Sequence, residues 1–458
     1  MKVPSNTPGS MTNGLDGRAL FLLAYLSGNA FAATLILRSV IGQVIYGGIP
    51  MSSPQSAPVK KTLFTEGFLQ DPYPTYQRFL EEGRIHYVDY GAGAWAVFHY
   101  ADCVSFLKDT RLSSKKSGAL LLPLPVERRA EFTELARMLG LWMLLIDPPE
   151  HSRLRKLLNK GFSPAVMESL RPQIEVIVEG MLEPLRHASE AELMHEIAHP
   201  LPVRVIAEML GIPSTMQDQL VQWSTAIATL FGNPSRTLEQ SQCAQQAVLA
   251  LTAYFRDVVA ERRGHKSNDL ISLLLEIEED GEVLTEEELY AQCVMLLFGG
   301  HETTRNLIGN GVHALLQHPA ELAKLRDHPE MIRTAVEELL RYDSPVQYSS
   351  RIVKEELEFC GVRLHEGEIV VFMLGAANRD PQQFKDPDHL NLARLNNAHL
   401  AFGAGGHFCI GSQLARLEGQ VAILRMVQQF PRMRLTAQKP DWVPNFILRG
   451  LKALPVSF

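Results

Sequence analysis

The chain has 458 residues, 46% of them apolar and 21% charged, with a net charge of −7. That length allows a large buried core, the composition is that of a globular protein, and the acidic balance argues against a nucleic-acid binder. The five cysteines, at 103, 243, 293, 360 and 409, are odd in number and form no Cys-x-x-Cys pair, which argues against a zinc ribbon or a disulfide framework and points to a reducing compartment.

Residues 19–37 carry no charge and are bracketed by Arg18 and Arg38. Nineteen residues are just enough to span a bilayer, but Ser27-Gly28-Asn29 interrupts the run. Ala30-Phe31-Ala32 has the small-residue pattern of a signal-peptide cleavage site. Three readings stay open: a translated upstream segment with the true start at Met51, a membrane tether, and a cleaved signal. Residues 1–60 therefore read as an N-terminal extension, disordered or targeting, and residues 61–458 as the folded domain.

Residues 71–83 predict a helix opened by proline and closed by Gly83. Apolar runs at 85–88 and 94–98 flank Gly91-Ala-Gly93, a hairpin signal. The pattern is helical almost throughout 164–263, again over 285–316, and over 319–325 and 331–342. Strand-like pieces follow at 356–360 and 369–374, with Gly361 and Glu366-Gly367 as turns. A last long helix is predicted after Cys409.

Four motifs carry chemistry. The stretch Phe402-Gly-Ala-Gly-Gly-His407-Phe-Cys409-Ile-Gly411 sets one cysteine in a glycine-rich loop before a helix-like segment. A cysteine at a helix N-terminus sits in positive potential beside free N–H donors, and both favour the thiolate. Taken alone, the loop equally suits a buried free cysteine. Gly299-Gly300-His301-Glu302-Thr303-Thr304 falls inside the long helix. A glycine there costs about 1 kcal/mol relative to alanine, so the spot reads as a kink or widened turn where a ligand sits against the helix. The alternative is a bend with Glu302 and Thr303 facing solvent. Glu338-Leu-Leu-Arg341 places a carboxylate and a guanidinium on one helix face, a spacing shared by Glu330/Arg333, Glu183/Arg186 and Glu168/Arg171. His151 and Arg155 stand four apart on a predicted helix, and each also suits a solvated surface.

Phe402, Gly405, His407, Cys409 and Gly411 together resemble the haem-binding signature of the cytochrome P450 family. The motifs at 299–304 and 338–341 precede it in the family's order. The likeness covers about residues 65–458 and resembles the soluble bacterial members, which lack the first fifty residues. It implies a mainly α fold with small β-sheets (α+β), in a single large domain enclosing a haem. It implies Cys409 as the axial ligand of the iron of haem b, and Glu302 and Thr303 as the pair that delivers protons during dioxygen reduction. Glu338 and Arg341, with Arg394 fifteen residues before Cys409, match the family's structural ion network. His151, Arg155, Arg351 and His407 match anchors for the haem propionates.

The implied reaction inserts one oxygen atom from O2 into an apolar small molecule, by hydroxylation or epoxidation. A thiolate ligand favours O–O cleavage. Electrons from NAD(P)H are expected through an external ferredoxin-type donor and its reductase, because the chain after Cys409 is too short for a fused one. Arg153, Lys156, Lys160 and Arg416 are candidates for a basic docking face. The loop at 117–125, Leu230-Phe231-Gly232, Val346 and Tyr348 are candidates for an apolar pocket. Oxidative ring formation or coupling, a peroxide-driven oxygenase and a non-catalytic haem sensor are the alternatives, and an intact Glu302–Thr303 pair argues against the last two. The expected location is the cytoplasm, with a membrane tether through 19–37 as the alternative.

Overall fold

The computed structural model describes residues 58–121, 124–232, 237–277, 281–437 and 439–458. The segment 19–37, Met51 and Leu122-Pro123 of the predicted pocket loop lie outside the described residues. No helix among the described residues is long and apolar enough to cross a membrane.

The helices that shape the site are α1 (Tyr73–Glu82), α2 (Tyr100–Lys108), α3 (Glu150–Asn159), α4 (Arg171–Leu182), α5 (Pro200–Met209), α6 (Gln217–Gly232), α7 (Leu238–Gly264), α8 (Glu286–Gln317), α9 (Pro319–Asp327), α10 (Ile332–Tyr342) and α11 (Ser412–Gln429). The axis of the molecule is α8. Thr285 caps it in a reciprocal box: Glu288 N–H donates to Thr285 Oγ1 at 3.2 Å, and Thr285 N–H donates to Glu288 Oε2 at 2.9 Å. At 1.5 Å per residue its 32 residues extend about 48 Å. Its apolar side chains are buried on every face, as befits a helix in the middle of a large core. Helices α5, α6, α7, α10 and α11 pack around it.

The principal sheet lies beside this core. Its strands are β1 (Ile85–Val88), β2 (Ala94–Val97), β3 (Leu112–Ser113), β4 (Ser349–Val353) and β5 (Ile369–Phe372), in the order β1-β2-β5-β4-β3. β1 and β2 form the predicted hairpin, pairing Ile85 with Val97. β5 joins β2 in parallel, and β4 runs antiparallel to β5 with Arg351 opposite Val370. The predicted helices all form, with ends shifted by a few residues. The span 164–263 is almost wholly helical where described, broken by a strand at Glu190–Glu192 and a π-turn at Met194–Ala198. The sequence does not announce the C-terminal strands. Pro455–Ser457 is only three residues long and takes its pairing from Glu190–Glu192, far away in the chain.

Candidate active site

Between α8, α11, α3 and β4 lies a cavity of about 320 Å³. Cys409, Glu302, Thr303, His151, Arg155, Arg351 and His407 all line it. The sequence-predicted ligand, relay pair and propionate anchors therefore meet in one place.

The cysteine loop is shaped by its backbone. Cys409 N–H donates to Phe402 O at 3.0 Å. Gly405 has φ +72°, and a Cβ there would meet Leu107 O at 2.8 Å, so only glycine fits. Cys409 opens into the cavity while protein encloses it on its other sides. Burial pushes its thiol above the ordinary range, although the Gly411 N–H, Arg155 and Arg416 pull the other way. The Gly411 N–H acts in the direction expected of the helix N-terminus. The local donors are in place, but burial outweighs them, and a bound cation is what would tip the balance.

Facing the sulfur's loop is a cationic wall. Arg351 on β4 is 7% exposed; it donates to Ser350 O at 2.8 Å and to Ser349 Oγ at 3.1 Å. The His151 and His407 rings lie 3.9 Å apart. His407 Nε2 is 3.0 Å from Ser114 Oγ, while His151 Nε2 is buried with no partner. Lys116 completes the wall by donating to Ser350 Oγ at 2.9 Å. Burial and the Arg351 charge depress Lys116 to about 7. Burial, then Arg351, His151, Arg155 and Lys116, depress His407 to about 3. Burial lowers Arg351 to about 10, opposed by Asp147. Asp147 itself is turned to Ser113 Oγ, at 2.5 Å, and to Ser114 N–H, at 2.7 Å. Among the described residues no carboxylate forms an ion pair with Lys116, Arg155 or Arg351. Cations crowded without counter-charge make a site for an anion. A planar, largely apolar group with two carboxylates and a soft-ligand-accepting metal fits this wall and the facing sulfur, so the residues present fit a haem.

On the other side stands α8. A Cβ at Gly299 would meet nothing within 4 Å, which supplies the predicted groove. The predicted kink does not appear: α8 continues unbroken through 299–304. Thr303 Oγ1 donates to Gly299 O at 2.7 Å, the back-bond open to a helical threonine. Glu302 does not face bulk solvent, being 5% exposed. Arg305 Nη1 donates to its Oε2 at 2.8 Å, and Thr225 Oγ1 on α6 donates to its Oε1 at 3.3 Å. Burial pushes the Glu302 carboxyl up, but His301, Arg305 and His199 more than offset this, and it is held below the ordinary range.

The predicted ion network assembles beneath the cysteine loop. Glu338 and Arg341 side chains are both 0% exposed. Arg341 Nε and Nη2 each donate to Glu338 at 2.8 Å. Arg394 Nε donates to the same carboxylate at 3.0 and 3.2 Å.

Two expectations need correction. Of the pocket loop 117–125, none of the described residues lines the cavity; Leu120, Leu121 and Leu124 pack into the main core instead. Phe231, Val346 and Tyr348 do line it, whereas Leu230 is core. The basic docking face is also weaker than its charges suggest. Arg153 is ion-paired with Glu288, and Arg416 holds Glu337 through two bonds of 2.7 and 2.9 Å. Both guanidinium charges are met by a carboxylate within the chain.

Sequence reasoning missed Lys116 and Glu418. Lys116 reaches the wall only because β3 pairs with β4, which no local pattern reveals. Glu418 is the acid on an otherwise apolar face of α11, among Leu414, Leu417 and Val421; that anomaly was the available signal. It lines the cavity, its Oε2 has no partner, and burial raises its carboxyl well above the usual range.

A mainly helical fold around a cavity with a sulfur, a cationic wall and an acid–alcohol pair defines a class: haem-thiolate oxygenases. The model of the family described as Cytochrome P450 matches residues 126–446. Cytochrome P450 107B1 of Saccharopolyspora erythraea is 40% identical over 86% of this chain and 96% of its own length. The biotin biosynthesis cytochrome P450 of Bacillus subtilis is 38% identical over 85% of this chain and 97% of its own. The solved structure of P450BioI in complex with an acyl carrier protein ligated to hexadec-9Z-enoic acid superposes with a TM-score of 0.80 at 37% identity, covering 86% of this chain and 99% of that one. The chain belongs to the cytochrome P450 family. It is a monooxygenase whose cofactor is a haem with a cysteine thiolate ligand, using O2 and electrons that reach it from NAD(P)H through redox partners.

Proposed function

We propose that this protein hydroxylates a long, apolar small molecule, with Cys409 as the thiolate that would hold the haem iron and Glu302–Thr303 as the proton relay. The observation that carries this reading is that one cavity holds the Cys409 sulfur, the cationic wall and the relay side chains. His151, Arg155, Arg351 and His407 would hold the two propionates, and Lys116 is placed to join them. The bound haem supplies activation of dioxygen.

The chain's own residues do the rest. The reaction takes up two electrons and two protons, places one oxygen atom in a C–H bond and releases the other as water. Gly299 and Gly300 leave room beside α8 for the reacting group. Thr303 Oγ1 gives its proton to Gly299 O, which leaves its lone pairs to accept a hydrogen bond from a group in the cavity. Glu302 supplies the proton behind it. Phe231, Phe298, Met295, Leu144, Val346 and Ile447 give the substrate side an apolar lining. That lining suits an acyl chain of the kind carried by the acyl carrier protein in the P450BioI complex. A ferredoxin-type protein with its reductase is the proposed electron donor, on the likeness to bacterial members. The five unpaired cysteines suit a reducing compartment, and we place the protein in the cytoplasm.

Hexadec-9Z-enoic acid is the first probe. It should move the haem from low to high spin, and turnover under labelled dioxygen should put one labelled oxygen atom in the product. No spin shift with this or any apolar candidate would count against the substrate class. Thr303→Ala should keep consuming NAD(P)H while product per NAD(P)H falls on the order of 100-fold, the lower end of what a positioned proton-transfer group contributes. Unchanged coupling would remove Thr303 from the relay, and would favour the peroxide-driven alternative.

A further inference from the structure

We propose that His199 and His301 form the path by which protons reach Glu302 from the protein surface. This rests on the reading of Glu302 as the proton donor to the reaction. Glu302 is enclosed by protein and needs resupply after every turnover, so a route to solvent is required.

His301 is fully buried, and its ring is met only by a loosely aligned hydrogen bond with the His199 backbone and by no side-chain partner. A buried imidazole so weakly satisfied is costly, so the group calls for a functional explanation. Its Nδ1 lies 3.9 Å from Glu302 Oε1, a gap that one water or a small ring rotation closes. The His199 ring lies 4.9 Å from the His301 ring, centroid to centroid, and closes a compact cluster with Glu302. His199 is half-buried, and the surface beyond it holds the exposed His195.

The backbone that presents His199 is itself irregular. Met194–Ala198 is a π-turn, closed by His199 N–H donating to Met194 O at 2.8 Å. Such turns insert an extra residue and gather at functional sites. This one ends where α5 begins, against α8. Glu192 fixes the start of the turn, accepting from His195 N–H at 2.7 Å.

Neutral imidazole accepts on one nitrogen and donates from the other. Burial holds His301 near 4, with Glu302 opposing and His199 and Arg305 assisting. Burial also lowers His199, assisted by Arg305 and His195 and opposed by Glu302 and Glu192. Both rings are thus neutral near pH 7. Solvent gives a proton to His199, His199 gives one to His301, and His301 gives one to the Glu302 carboxylate. Each ring then reverts by tautomer exchange; no electrons move, and one solvent proton replaces each proton Glu302 releases. His199, His301 and Glu302 also bring three ligand-type atoms within 4.8 Å of one another. The Arg305 guanidinium on the carboxylate suits proton exchange better than a divalent cation there.

The test uses the haem-loaded protein with His199→Leu, His199→Gln and Glu302→Gln. The glutamine at 199 keeps hydrogen bonding but cannot relay by tautomer exchange. Both His199 variants should keep haem content, the carbon monoxide spectrum and the substrate spin shift. Product per NAD(P)H should fall roughly tenfold, hydrogen peroxide should rise, and the solvent deuterium isotope effect should grow. Adding either change to Glu302→Gln should cost nothing further. Wild-type coupling and isotope effect in both His199 variants, with Glu302→Gln uncoupled, would overturn the path and leave Glu302 in its role. Wild-type coupling in Glu302→Gln would overturn the role of Glu302 itself. Independently of any variant, ring-nitrogen NMR of the reduced, carbon-monoxide-bound wild type should show His301 neutral at pH 7 and exchanging with solvent deuterium. A charged or exchange-protected His301 ring would overturn the path.

Discussion

Cys409→Ser is expected to abolish the thiolate-type, red-shifted Soret band of the reduced, carbon-monoxide-bound protein and to bring product formation to background. The loop itself should survive. Its shape depends on the Cys409 N–H to Phe402 O bond and on Gly405 in its left-handed conformation, neither of which involves the sulfur. A hydroxyl of similar size neither ionises near neutral pH nor donates electron density as a soft ligand does. The other cysteines offer no substitute. Cys103 and Cys293 are buried in apolar cores where burial pushes their thiols up, and neither they nor the exposed Cys243 and Cys360 line the cavity. Because burial also raises the Cys409 thiol, haem uptake should release a proton as the sulfur ionises against the iron. A thiolate-type band surviving in the serine variant would assign the ligand elsewhere.

Much of this site is written in local pattern, and the parts that are not share a cause. The cysteine loop, the acid–alcohol pair and the Glu-x-x-Arg pair are short, contiguous and helical or glycine-rich, so their chemistry can be read before any tertiary contact is known. The long helices are equally legible, because α8 announces its start with Thr285 and Glu288 and keeps its apolar residues over many turns. What could not be read depends on which distant segments meet. Lys116 joins the cationic wall through the β3–β4 pairing. His199 reaches α8 through a π-turn that no periodicity predicts. Arg153 and Arg416 look like free surface cations until their carboxylate partners on other helices are seen. The loop at 117–125 has the composition of a pocket wall, yet composition cannot separate a pocket wall from core.

Glu338→Gln should destabilise the folded protein by about 3–5 kcal/mol, the cost of stranding a buried charge. The same change at Glu168 should cost about 0–1 kcal/mol. Both acids have an arginine three residues on, so spacing does not distinguish them; burial does. The Glu168 and Arg171 side chains are 60% and 29% exposed, whereas Glu338 and Arg341 are both sealed from solvent. Removing the Glu338 charge leaves Arg341 bonded only to carbonyls, such as Asn378 O at 2.9 Å and Pro387 O at 2.8 Å, and leaves Arg394 without its carboxylate. Against a total stability of about 5–15 kcal/mol this is a large share. The first function lost should be haem retention rather than global folding. Asn397 Nδ2 donates to Glu338 at 3.1 Å, and Leu400 N–H donates to Asn378 Oδ1 at 2.6 Å, so the network fixes the chain that runs directly into the cysteine loop. Urea titrations followed in parallel by haem absorbance and far-ultraviolet circular dichroism should therefore separate in the variant and coincide in the wild type. Arg341→Lys should behave like the charge deletion, because an ammonium cannot make the two parallel bonds to one carboxylate. Replacing the pair together, with Glu338→Leu and Arg341→Met, should recover part of the loss, since an apolar pair of similar volume removes the stranded charge. Recovery should stop short of wild type, because Arg394 and the Asn391 N–H would still face the position the carboxylate held. A Glu338→Gln protein within about 1 kcal/mol of wild type would mean that the three-residue network carries no more than the surface pair it resembles in sequence.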